Sequence, residues 1–446
     1  MKKRAGQNAP RGAGAARKIL QQAAELPLVQ IEKPVYGGAF LARVEGKAVF
    51  VPLTLPDEQV RLRVVEEKRG YATAEVEEIV VPAAERIAHR CRHFGACGGC
   101  QYQQTDYATQ LAFKQAILRE TLERGGVSVP QTFAVLAGEP WAYRNRIRVA
   151  FDAEGDAGYR GRRSHALIRI GECPIAAPLL VRAALAAGEI VRELPARLRP
   201  AEISFFCDAA ETALLASVVT AGGGTRCFEE FARRFADRVP ETTGIKLEAD
   251  GGRGKTPRSV AQWGGTSLLY CAAGFDYRVG EGAFFQVNRW LVDPLVDCAT
   301  GGHRGGVAWD LFAGVGLFAR RLAASFENVI AVEAAAAATA ALAQNLAGTG
   351  AKAVKALTVD FLRGARDEKR PDLIVVDPPR SGLGAETTAL LGQIAAPSLV
   401  YVSCDAATLA RDLQAMIAAG YGIENVTLAD LFPQTFHLET VVQLRR

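Results

Sequence analysis

The sequence predicts an α/β fold in which a doubly wound, mainly parallel sheet forms the C-terminal part of the chain. From Gly306 onward, apolar runs alternate with amphipathic helical segments, as they do in strand–helix–strand units. Residues 28–81 instead alternate in polarity between turns such as Gly37-Gly38, which is typical of a small, OB-like five-stranded β-barrel. The stretch from about 130 to 285 has no clear periodicity, so it is predicted only as a mixed α/β segment.

Length and composition limit the class of protein. A chain of 446 residues is too long for one core, and we expect four segments, namely a basic disordered tail over 1–25, the barrel over 26–87, a central domain over 88–285 and the doubly wound domain over 286–446. No run approaches the roughly 18 apolar residues of a membrane span, so no membrane partner is expected. Nine cysteines without a secretory signal indicate a reducing compartment, and we expect a cytoplasmic protein.

A glycine-rich turn and two acids stand where strands of the doubly wound sheet are predicted to end. The turn DLFAGVG (310–316) lets the backbone approach a ligand closely. Glu333 is predicted to end the next strand, where a carboxylate can accept both hydroxyls of a ribose. Asp360 is predicted to end the third strand, where it would meet the amino group of an adenine. Since the turn is not GxGxxG, a dinucleotide is disfavoured and the pattern predicts an S-adenosylmethionine site.

The next two predicted strand ends carry an acid and a thiol. Asp377 opens the turn DPPR, in which two prolines fix a rigid loop, and Cys404 follows the strand after it. A thiolate adds to electron-poor ring carbons more easily than a hydroxyl, but an unperturbed cysteine has a pKa of about 8.5 and needs help from its surroundings. A cysteine considered alone is more often a packing residue. The neighbouring motifs, with Glu439 downstream, favour carbon methylation over methylation of nitrogen.

Arginines alternate along one predicted strand of the central segment. Arg144, Arg146 and Arg148 would share one face of an extended strand. Such a face can hold phosphates, with neighbouring aromatic side chains stacking on bases. A solvated sheet face is the alternative interpretation.

A cluster of cysteines predicts a metal centre. Cys91, Cys97 and Cys100 have the spacing C-x5-C-x2-C, and Cys173, followed by the rigid Pro174, is the natural fourth ligand. Four thiolates suit either zinc or an iron–sulfur cluster, and the spacing does not choose between them.

Together these residues resemble the RNA uracil-5-methyltransferase family, and more closely its 23S rRNA branch, which combines a TRAM barrel with a [4Fe–4S] cluster. The resemblance covers almost all of the chain after residue 25. It is carried by CRHFGACGGC with Cys173, AYRNRIRV, FFQVN, DLFAGVGLF, DPPR, SCDAATLARDL and FPQTFHLETVVQL. It implies a class I S-adenosylmethionine methyltransferase domain (Rossmann-like), S-adenosylmethionine as cofactor, and a [4Fe–4S] cluster, with zinc as the other option, on Cys91, Cys97, Cys100 and Cys173.

The resemblance also implies roles for particular residues. The cofactor residues would be Gln286, Phe312, Glu333, Asp360 and Asp377, the nucleophile Cys404 and the base Glu439, with Asp377 also holding the uracil. Two departures stand out. Leu317 occupies a position where family members often carry Asn, so one cofactor hydrogen bond is expected to be lost or replaced by main chain. Asp405-Ala406 stands where a proline usually follows the acid, so a looser turn is expected there.

The implied reaction is methyl transfer to carbon 5 of a uridine in RNA, with 23S rRNA as the expected substrate. Cys404 would form a covalent adduct with carbon 6, and the uridine would have to be unpaired or flipped. Two alternatives are a tRNA uracil-5-methyltransferase and a non-catalytic rRNA-binding assembly factor. A monomer is expected.

Overall fold

Two units make up the part of the chain that the computed structural model describes, which is residues 26–220, 225–249, 258–280, 282–365 and 369–446. The first unit comprises residues 26–89 and 101–109, and the second comprises 90–100 and 110 to the C-terminus. The predicted basic tail over 1–25 lies outside the described residues. None of the helices within the described ranges is long and apolar enough to cross a membrane.

The first unit contains a closed five-stranded barrel with the strand order β1-β2-β3-β5-β4. The strands are β1 (Leu28–Val35), β2 (Ala39–Val44), β3 (Lys47–Pro52), β4 (Gln59–Glu67) and β5 (Tyr71–Val81). Alternation points Ile31, Phe40 and Val49 inward, where they are fully buried. The buried Glu58 carboxylate is paired with Arg86, whose Nε lies 2.5 Å from its Oε1. The predicted barrel is confirmed.

The second unit contains a seven-stranded sheet with the order β13-β12-β11-β10-β7-β8-β9. Its strands are β7 (Arg146–Phe151), β8 (Ala157–Arg160), β9 (Leu167–Arg169), β10 (Glu202–Cys207), β11 (Leu214–Thr220), β12 (Thr242–Ala249) and β13 (Arg258–Gly264). Helices α2 (Pro178–Glu193) and α3 (Phe228–Arg238) cover the face that carries Ile147 and Phe205.

The arginine pattern of β7 is only partly as predicted. Arg146 and Arg148 lie on one face, where the Arg146 guanidinium stands 4.4 Å from the Phe206 ring centroid and Arg148 Nε donates to Ser204 Oγ at 3.3 Å. Arg144 precedes the strand and forms isolated bridges instead, since the chain there turns to run beside Ala176.

The C-terminal sheet has eight strands in the order β18-β17-β16-β19-β20-β22-β21-β6. They are β6 (Ala134–Leu136), β16 (Gly305–Leu311), β17 (Phe326–Glu333), β18 (Ala351–Lys355), β19 (Leu373–Val376), β20 (Ser398–Ser403), β21 (Gly422–Ala429) and β22 (Glu439–Arg445). Strands β16 to β20 run parallel, and β22 lies antiparallel between β20 and β21. A separate hairpin of β14 (Ser267–Ala272) and β15 (Phe275–Gly280) precedes them.

Helices cover both faces of this sheet. They are α1 (Tyr107–Arg124), α4 (Val292–Thr300), α5 (Leu317–Leu322), α6 (Ala336–Asn345), α7 (Thr358–Gly364), α8 (Gly384–Ile394) and α9 (Ala406–Ala418). One core contains Leu295, Phe318 and Leu342 from α4, α5 and α6, and the other contains residues of α1, α7, α8 and α9. The predicted doubly wound sheet is confirmed, and it also includes α1 and β6 from early in the chain.

Candidate active site

Cys404 lies directly after β20, half-buried at the carboxyl end of the strand. The next residue, Asp405, is the N-cap of α9, and its side chain accepts hydrogen bonds from the backbone amides of Ala407 (3.1 Å) and Thr408 (2.9 Å). Such a cap stabilises the start of a helix by about 1 kcal/mol. The cap therefore holds the start of the helix after Cys404, and the looser turn expected from Asp405-Ala406 stays a prediction.

The loop that begins at Asp377 is tied to the same helix. Thr408 Oγ1 donates to the carbonyl of Arg380 at 3.2 Å, and Arg411 Nη2 donates to the carbonyl of Ser381 at 2.8 Å. Since α9 starts beside Cys404, these hydrogen bonds fix the position of the DPPR loop relative to the thiol. Asp377 itself is half-buried at the end of β19.

Glu439 is brought to Cys404 by strand register. It is the first residue of β22, which pairs antiparallel with β20 so that Thr440 faces Ser403. The next pair in this register is Glu439 and Cys404. The Glu439 side chain is only 3% exposed, so the carboxyl group is buried beside the thiol. The sequence could not fix this register, because it depends on β22 inserting between β20 and β21.

Burial is the largest cause of a raised pKa at all three acidic groups. Burial, and then the charges of Glu439 and Asp377, raise the pKa of Cys404 to about 11. Burial raises the pKa of Asp377 to about 7, and burial together with Asp377 raises the pKa of Glu439 well above its ordinary value. The positive charge of Arg380 opposes the rise at both Cys404 and Glu439. The two carboxyl groups therefore hold protons near neutral pH that isolated carboxyl groups would release, and the thiol keeps its proton to a higher pH than an isolated thiol.

Because of this raised pKa, we expect alkylation of Cys404 by iodoacetamide to accelerate by about tenfold per pH unit from roughly pH 7 to pH 10. The thiolate is the reacting form, and its fraction grows with pH until the pKa is reached. Quantitative mass spectrometry of the Cys404 peptide measures the rate, and a Cys404→Ala protein gives the background. A plateau below about pH 9 would contradict the expected pKa.

A second group of residues surrounds the glycine turn after β16. Gly314 (φ +56°) and Gly316 (φ +96°) are left-handed, and so is Phe312 (φ +66°), which is unusual for a residue with a side chain. Glu333 ends β17 as predicted, and its carboxylate accepts the amides of Gly314 at 2.9 Å and Ala335 at 2.6 Å. The Glu333 carboxylate thus fixes the glycine turn. It lies at the strand end where the sequence predicts contact with a ribose.

Leu317 begins the helix that follows this turn. Its side chain is buried in the core, and its carbonyl accepts the Tyr277 hydroxyl at 3.1 Å. Asp310, which sequence analysis placed in the turn without a role of its own, is fully buried and accepts the amide of Ala319 at 2.8 Å. Burial raises the pKa of Asp310 to about 7. This acid is a helix-fixing residue whose burial the sequence did not reveal.

The predicted position of Asp360 at a strand end is wrong. Strand β18 ends at Lys355, and Asp360 lies in the first turn of α7 with 54% of its side chain exposed. It forms a 2.8 Å ion pair with Arg363. An acid is favoured in the first turn of a helix by the helix dipole, and a partner three residues later adds to this, so TVDF forms helix rather than strand. A role for Asp360 in cofactor binding stays a prediction.

Gln286 is buried in the segment before α4, with 5% exposure. Its carbonyl accepts Asn145 Nδ2 at 2.9 Å, and Asn288 Nδ2 donates to the carbonyl of Leu431 at 3.2 Å. The FFQVN segment is therefore bound to the loop that leads into Glu439. The structure thus groups Cys404 with Asp377 and Glu439 but places the other predicted residues on neighbouring segments.

Comparison with known proteins identifies the family. The family described as tRNA (Uracil-5-)-methyltransferase matches residues 267–446. A 23S rRNA (uracil(1939)-C(5))-methyltransferase from Halomonas elongata is 33% identical over 93% of this chain and 88% of its own length. The chain belongs to the RNA uracil-5-methyltransferase family. The predicted resemblance is thereby confirmed.

Further relatives agree with this assignment. An enzyme of the same name from Klebsiella pneumoniae is 30% identical to this methyltransferase over 92% of the chain and 93% of the relative. The crystal structure of Pyrococcus abyssi tRNA (uracil-54, C5)-methyltransferase in complex with S-adenosyl-L-homocysteine superposes with a TM-score of 0.76. It is 22% identical and covers 93% of this chain and 99% of the other, which confirms the predicted class I methyltransferase fold.

Arg380, whose charge acts on the Cys404 thiol of this methyltransferase, is paired with a histidine that sequence analysis did not single out. Arg380 Nη2 is 3.2 Å from His437 Nδ1, and the imidazole packs against Phe436 with the ring centroids 4.3 Å apart. Burial is the main reason that the pKa of His437 falls to about 4, and the positive charge of Arg380 lowers it further. The neutral imidazole therefore accepts a hydrogen bond from Arg380. The only sequence signal was that His437 stands two residues before Glu439.

The loop that carries His437 is anchored by a buried ion pair. Lys114 of α1 and Asp430 have fully buried side chains, with Nζ 2.6 Å from Oδ1, and Nζ also donates to the Phe432 carbonyl at 2.9 Å. Burial lowers the pKa of Lys114, and Asp430 opposes this effect. Residues 316 positions apart in the sequence are thus joined at the start of the loop that carries His437.

Lys114→Met is expected to lower the free energy of unfolding by about 3–5 kcal/mol, because Asp430 would remain buried without its partner. Urea denaturation measures the loss, and Lys352→Met on the exposed side of β18 is the matched control. Adding Asp430→Leu to Lys114→Met is expected to recover part of the stability. A loss smaller than about 1 kcal/mol would show that the pair does not hold the fold.

The four cysteines of the predicted metal centre lie in one region of the second unit. Cys91 is buried, and Cys97, Cys100 and Cys173 are half-buried. Burial, and then the nearby Cys173, raise the pKa of both Cys91 and Cys97. Within the described part of the chain, however, no three or more His, Cys, Asp or Glu side chains are arranged to hold a metal ion. The metal centre therefore stays a prediction.

Proposed function

We propose that this methyltransferase transfers a methyl group from S-adenosylmethionine to carbon 5 of a uridine in 23S rRNA. The observation that carries the proposal is the register that buries Glu439 beside Cys404, with Asp377 as a third acid. The names of the relatives from Halomonas elongata and Klebsiella pneumoniae support 23S rRNA as the substrate.

The cofactor site would be formed by Gln286, Phe312, Glu333, Asp360 and Asp377. S-adenosylmethionine, when bound, supplies an electrophilic methyl group on a sulfonium. Glu333 already stands at the end of β17, where its two carboxylate oxygens hold the glycine turn and retain lone pairs for a ribose. The buried Leu317 cannot contribute a polar contact, so main-chain groups of residues 312–316 would supply the hydrogen bonds on that side.

Cys404, Glu439 and Asp377 would each act on a different part of the uracil. The Cys404 thiol gives its proton to solvent, and the resulting thiolate forms a bond from Sγ to carbon 6 of the uracil, which places negative charge on the ring and makes carbon 5 nucleophilic. Carbon 5 then takes the methyl group, Glu439 removes the proton from carbon 5, and the Sγ–carbon 6 bond breaks as the ring double bond reforms. Glu439 takes this proton in its ionised form, and its raised pKa makes that form a stronger base than the carboxylate of an exposed glutamate. Asp377 would hold the polar edge of the uracil.

The thiol and both carboxyl groups are at least partly buried, so a base within a duplex could not reach them. The target uridine must therefore be single-stranded or flipped. We further propose that the enzyme acts as a monomer, which analytical ultracentrifugation tests.

Methylation of unmodified transcripts tests the proposal. Purified enzyme is incubated with labelled S-adenosylmethionine and either 23S rRNA or a tRNA mixture, and mass spectrometry of the nuclease digests locates the product. The proposal expects 5-methyluridine in 23S rRNA. Product in tRNA alone would favour the tRNA enzyme, and tight rRNA binding without any product would favour an assembly factor.

We also propose that Cys91, Cys97, Cys100 and Cys173 hold a [4Fe–4S] cluster. The donor set supports this, since the thiols of Cys91, Cys97 and Cys173 lie within electrostatic reach of one another and Gly99 N already donates to Cys97 Sγ at 3.4 Å. Backbone amides aimed at sulfur are typical of iron–sulfur sites. Because methyl transfer needs no electron, the cluster would brace the surrounding loops.

We expect Cys97→Ser to remove iron, acid-labile sulfide and the visible absorption of anaerobically purified protein, and to lower its melting temperature. Cys298→Ser, which changes a half-buried thiol on α4, is the matched control and is expected to keep all of these properties. If metal analysis of the parent protein finds zinc and no sulfide, the four cysteines hold zinc and not an iron–sulfur cluster.

A further inference from the structure

Two tryptophan side chains, Trp141 and Trp290, form a surface that we call the tryptophan platform. Trp290 is 41% exposed, Trp141 is half-buried, and Trp290 Nε1 donates to the Trp141 carbonyl at 3.2 Å. The Arg289 guanidinium lies 4.2 Å from the centroid of the Trp290 ring, and that of Arg90 lies 4.9 Å from the centroid of the Trp141 ring. Two indoles, each with a cation over its face, therefore stand together at the surface.

The backbone has an unfavourable conformation directly after Trp141. Ala142 has φ +49°, a left-handed conformation that is unfavourable for a residue with a Cβ atom. Its amide donates to the Pro174 carbonyl at 2.8 Å, next to Cys173. Tyr143 on the other side is fully buried and donates its hydroxyl to the Pro433 carbonyl at 3.0 Å. The strained residue and these two hydrogen bonds thus fix the direction of the chain between Trp141 and the buried Tyr143.

The other half of the platform is equally fixed. The Arg289 side chain is 5% exposed, pairs with Glu211 at 2.6 Å and donates from Nε to the Ala142 carbonyl at 2.9 Å. The Trp290 amide donates to Asn288 Oδ1 at 3.0 Å, and Asn288 is bound to Leu431 in the loop that leads to Glu439. The platform is thus rigid and is linked through two residues to the active-site loop.

A cavity of about 810 Å³ opens beside the platform at Arg90 and Ala142. Its charged lining includes Arg90, Arg182, Arg238, Glu172 and Glu189. A nucleotide would find room there for its sugar and phosphate, next to the Arg90 guanidinium that also lies over the Trp141 ring.

We propose that the tryptophan platform stacks an unpaired base of the RNA that flanks the target uridine. This proposal rests on the proposed function and adds a binding subsite to it. A uridine that enters the active site leaves its neighbours without a stacking partner, and an exposed indole provides one for any base. The link from Asn288 to Leu431 holds this subsite at a constant position relative to the loop that carries Glu439.

The test compares RNA binding by Trp290→Leu, Trp290→Phe and the parent enzyme without cofactor. The probe is a single-stranded oligouridylate with one 2-aminopurine, whose fluorescence is quenched when it stacks. Trp290→Leu is expected to bind about 5- to 100-fold more weakly and to lose the quenching, whereas Trp290→Phe stays within about threefold of the parent. Trp263→Leu, at a half-buried position on β13, is the matched control and is expected to bind like the parent.

An abasic series makes the test independent of folding defects. Replacing each probe nucleotide in turn by an abasic residue should weaken the parent at the stacked position but leave Trp290→Leu unchanged there. Parental affinity and full quenching in Trp290→Leu would overturn the proposal. Methylation of 23S rRNA is measured on the same preparations. If the affinity for RNA depends on the platform but no methylated product forms, the subsite is supported and the proposed function is wrong. If methylated product does form, Trp290→Leu should raise the KM for the RNA and leave kcat unchanged.

Discussion

Replacing Cys404 by alanine is expected to abolish methyl transfer while leaving RNA binding intact. The variant lacks the atom that must bond to carbon 6, and no other thiol can take its place, because the strand register puts only Cys404 beside Glu439 and Asp377. We expect the rate of methyl transfer to fall by roughly 10⁴-fold or more, as it does when catalytic nucleophiles are removed elsewhere. Single-turnover methylation of 23S rRNA measures the rate, and filter binding measures affinity for the same RNA.

The control for this experiment is Cys271→Ala, which removes an exposed thiol on β14. It should methylate at the parental rate. Cys404→Ser is expected to be nearly as inactive as Cys404→Ala, since a hydroxyl at this position is a far weaker nucleophile. If Cys404→Ala kept more than about 1% of the parental rate, the covalent mechanism would be wrong even if the product were still 5-methyluridine.

Local patterns in the sequence were sufficient to predict the layers of the fold. The alternation over residues 28–81 gave a closed barrel, and the repeated strand and helix periods after Gly306 gave a doubly wound sheet. Apolar periodicity reports which face of an element is buried, and it does so without reference to distant parts of the chain. Strand ends that carry Glu333 and Cys404 were therefore placed correctly, because each follows a buried strand.

What the sequence did not reveal depends on contacts between distant segments. The pairing of Lys114 with Asp430 and the addition of β6 beside β21 join residues about 300 positions apart. The same holds for the tryptophan platform, in which Trp290 meets Trp141. The prediction that Asp360 ends a strand was wrong for a local reason. Three residues of TVDF have a high β propensity, while the acid and its pairing with Arg363 favour a helix. Burial of Asp310 and Glu439, which sets their pKa, follows only from the assembled sheet.

Replacing Glu439 by glutamine is expected to stop turnover after the methyl group has been transferred. The amide is close in size to the carboxyl group and can occupy the same buried position, but it cannot accept the proton from carbon 5. Cys404 would therefore stay bonded to carbon 6 of the methylated base. We expect turnover to fall by about 10²- to 10⁴-fold, the usual effect of losing a general base, while a covalent protein–RNA adduct accumulates. Denaturing gel electrophoresis with label in the methyl group detects the adduct.

The identity of the covalent adduct distinguishes the loss of a general base from a general disruption of the active site. A labelled adduct that disappears in Glu439→Gln/Cys404→Ala shows that the bond is made by Cys404 and that transfer precedes proton removal. Glu424→Gln, at an exposed position on β21, should turn over at the parental rate and form no stable adduct. Free methylated RNA released by Glu439→Gln at a near-parental rate would assign the proton to another group. Asp377 would then be the first candidate, since its pKa of about 7 suits a base near neutral pH and its charge is felt by both Cys404 and Glu439.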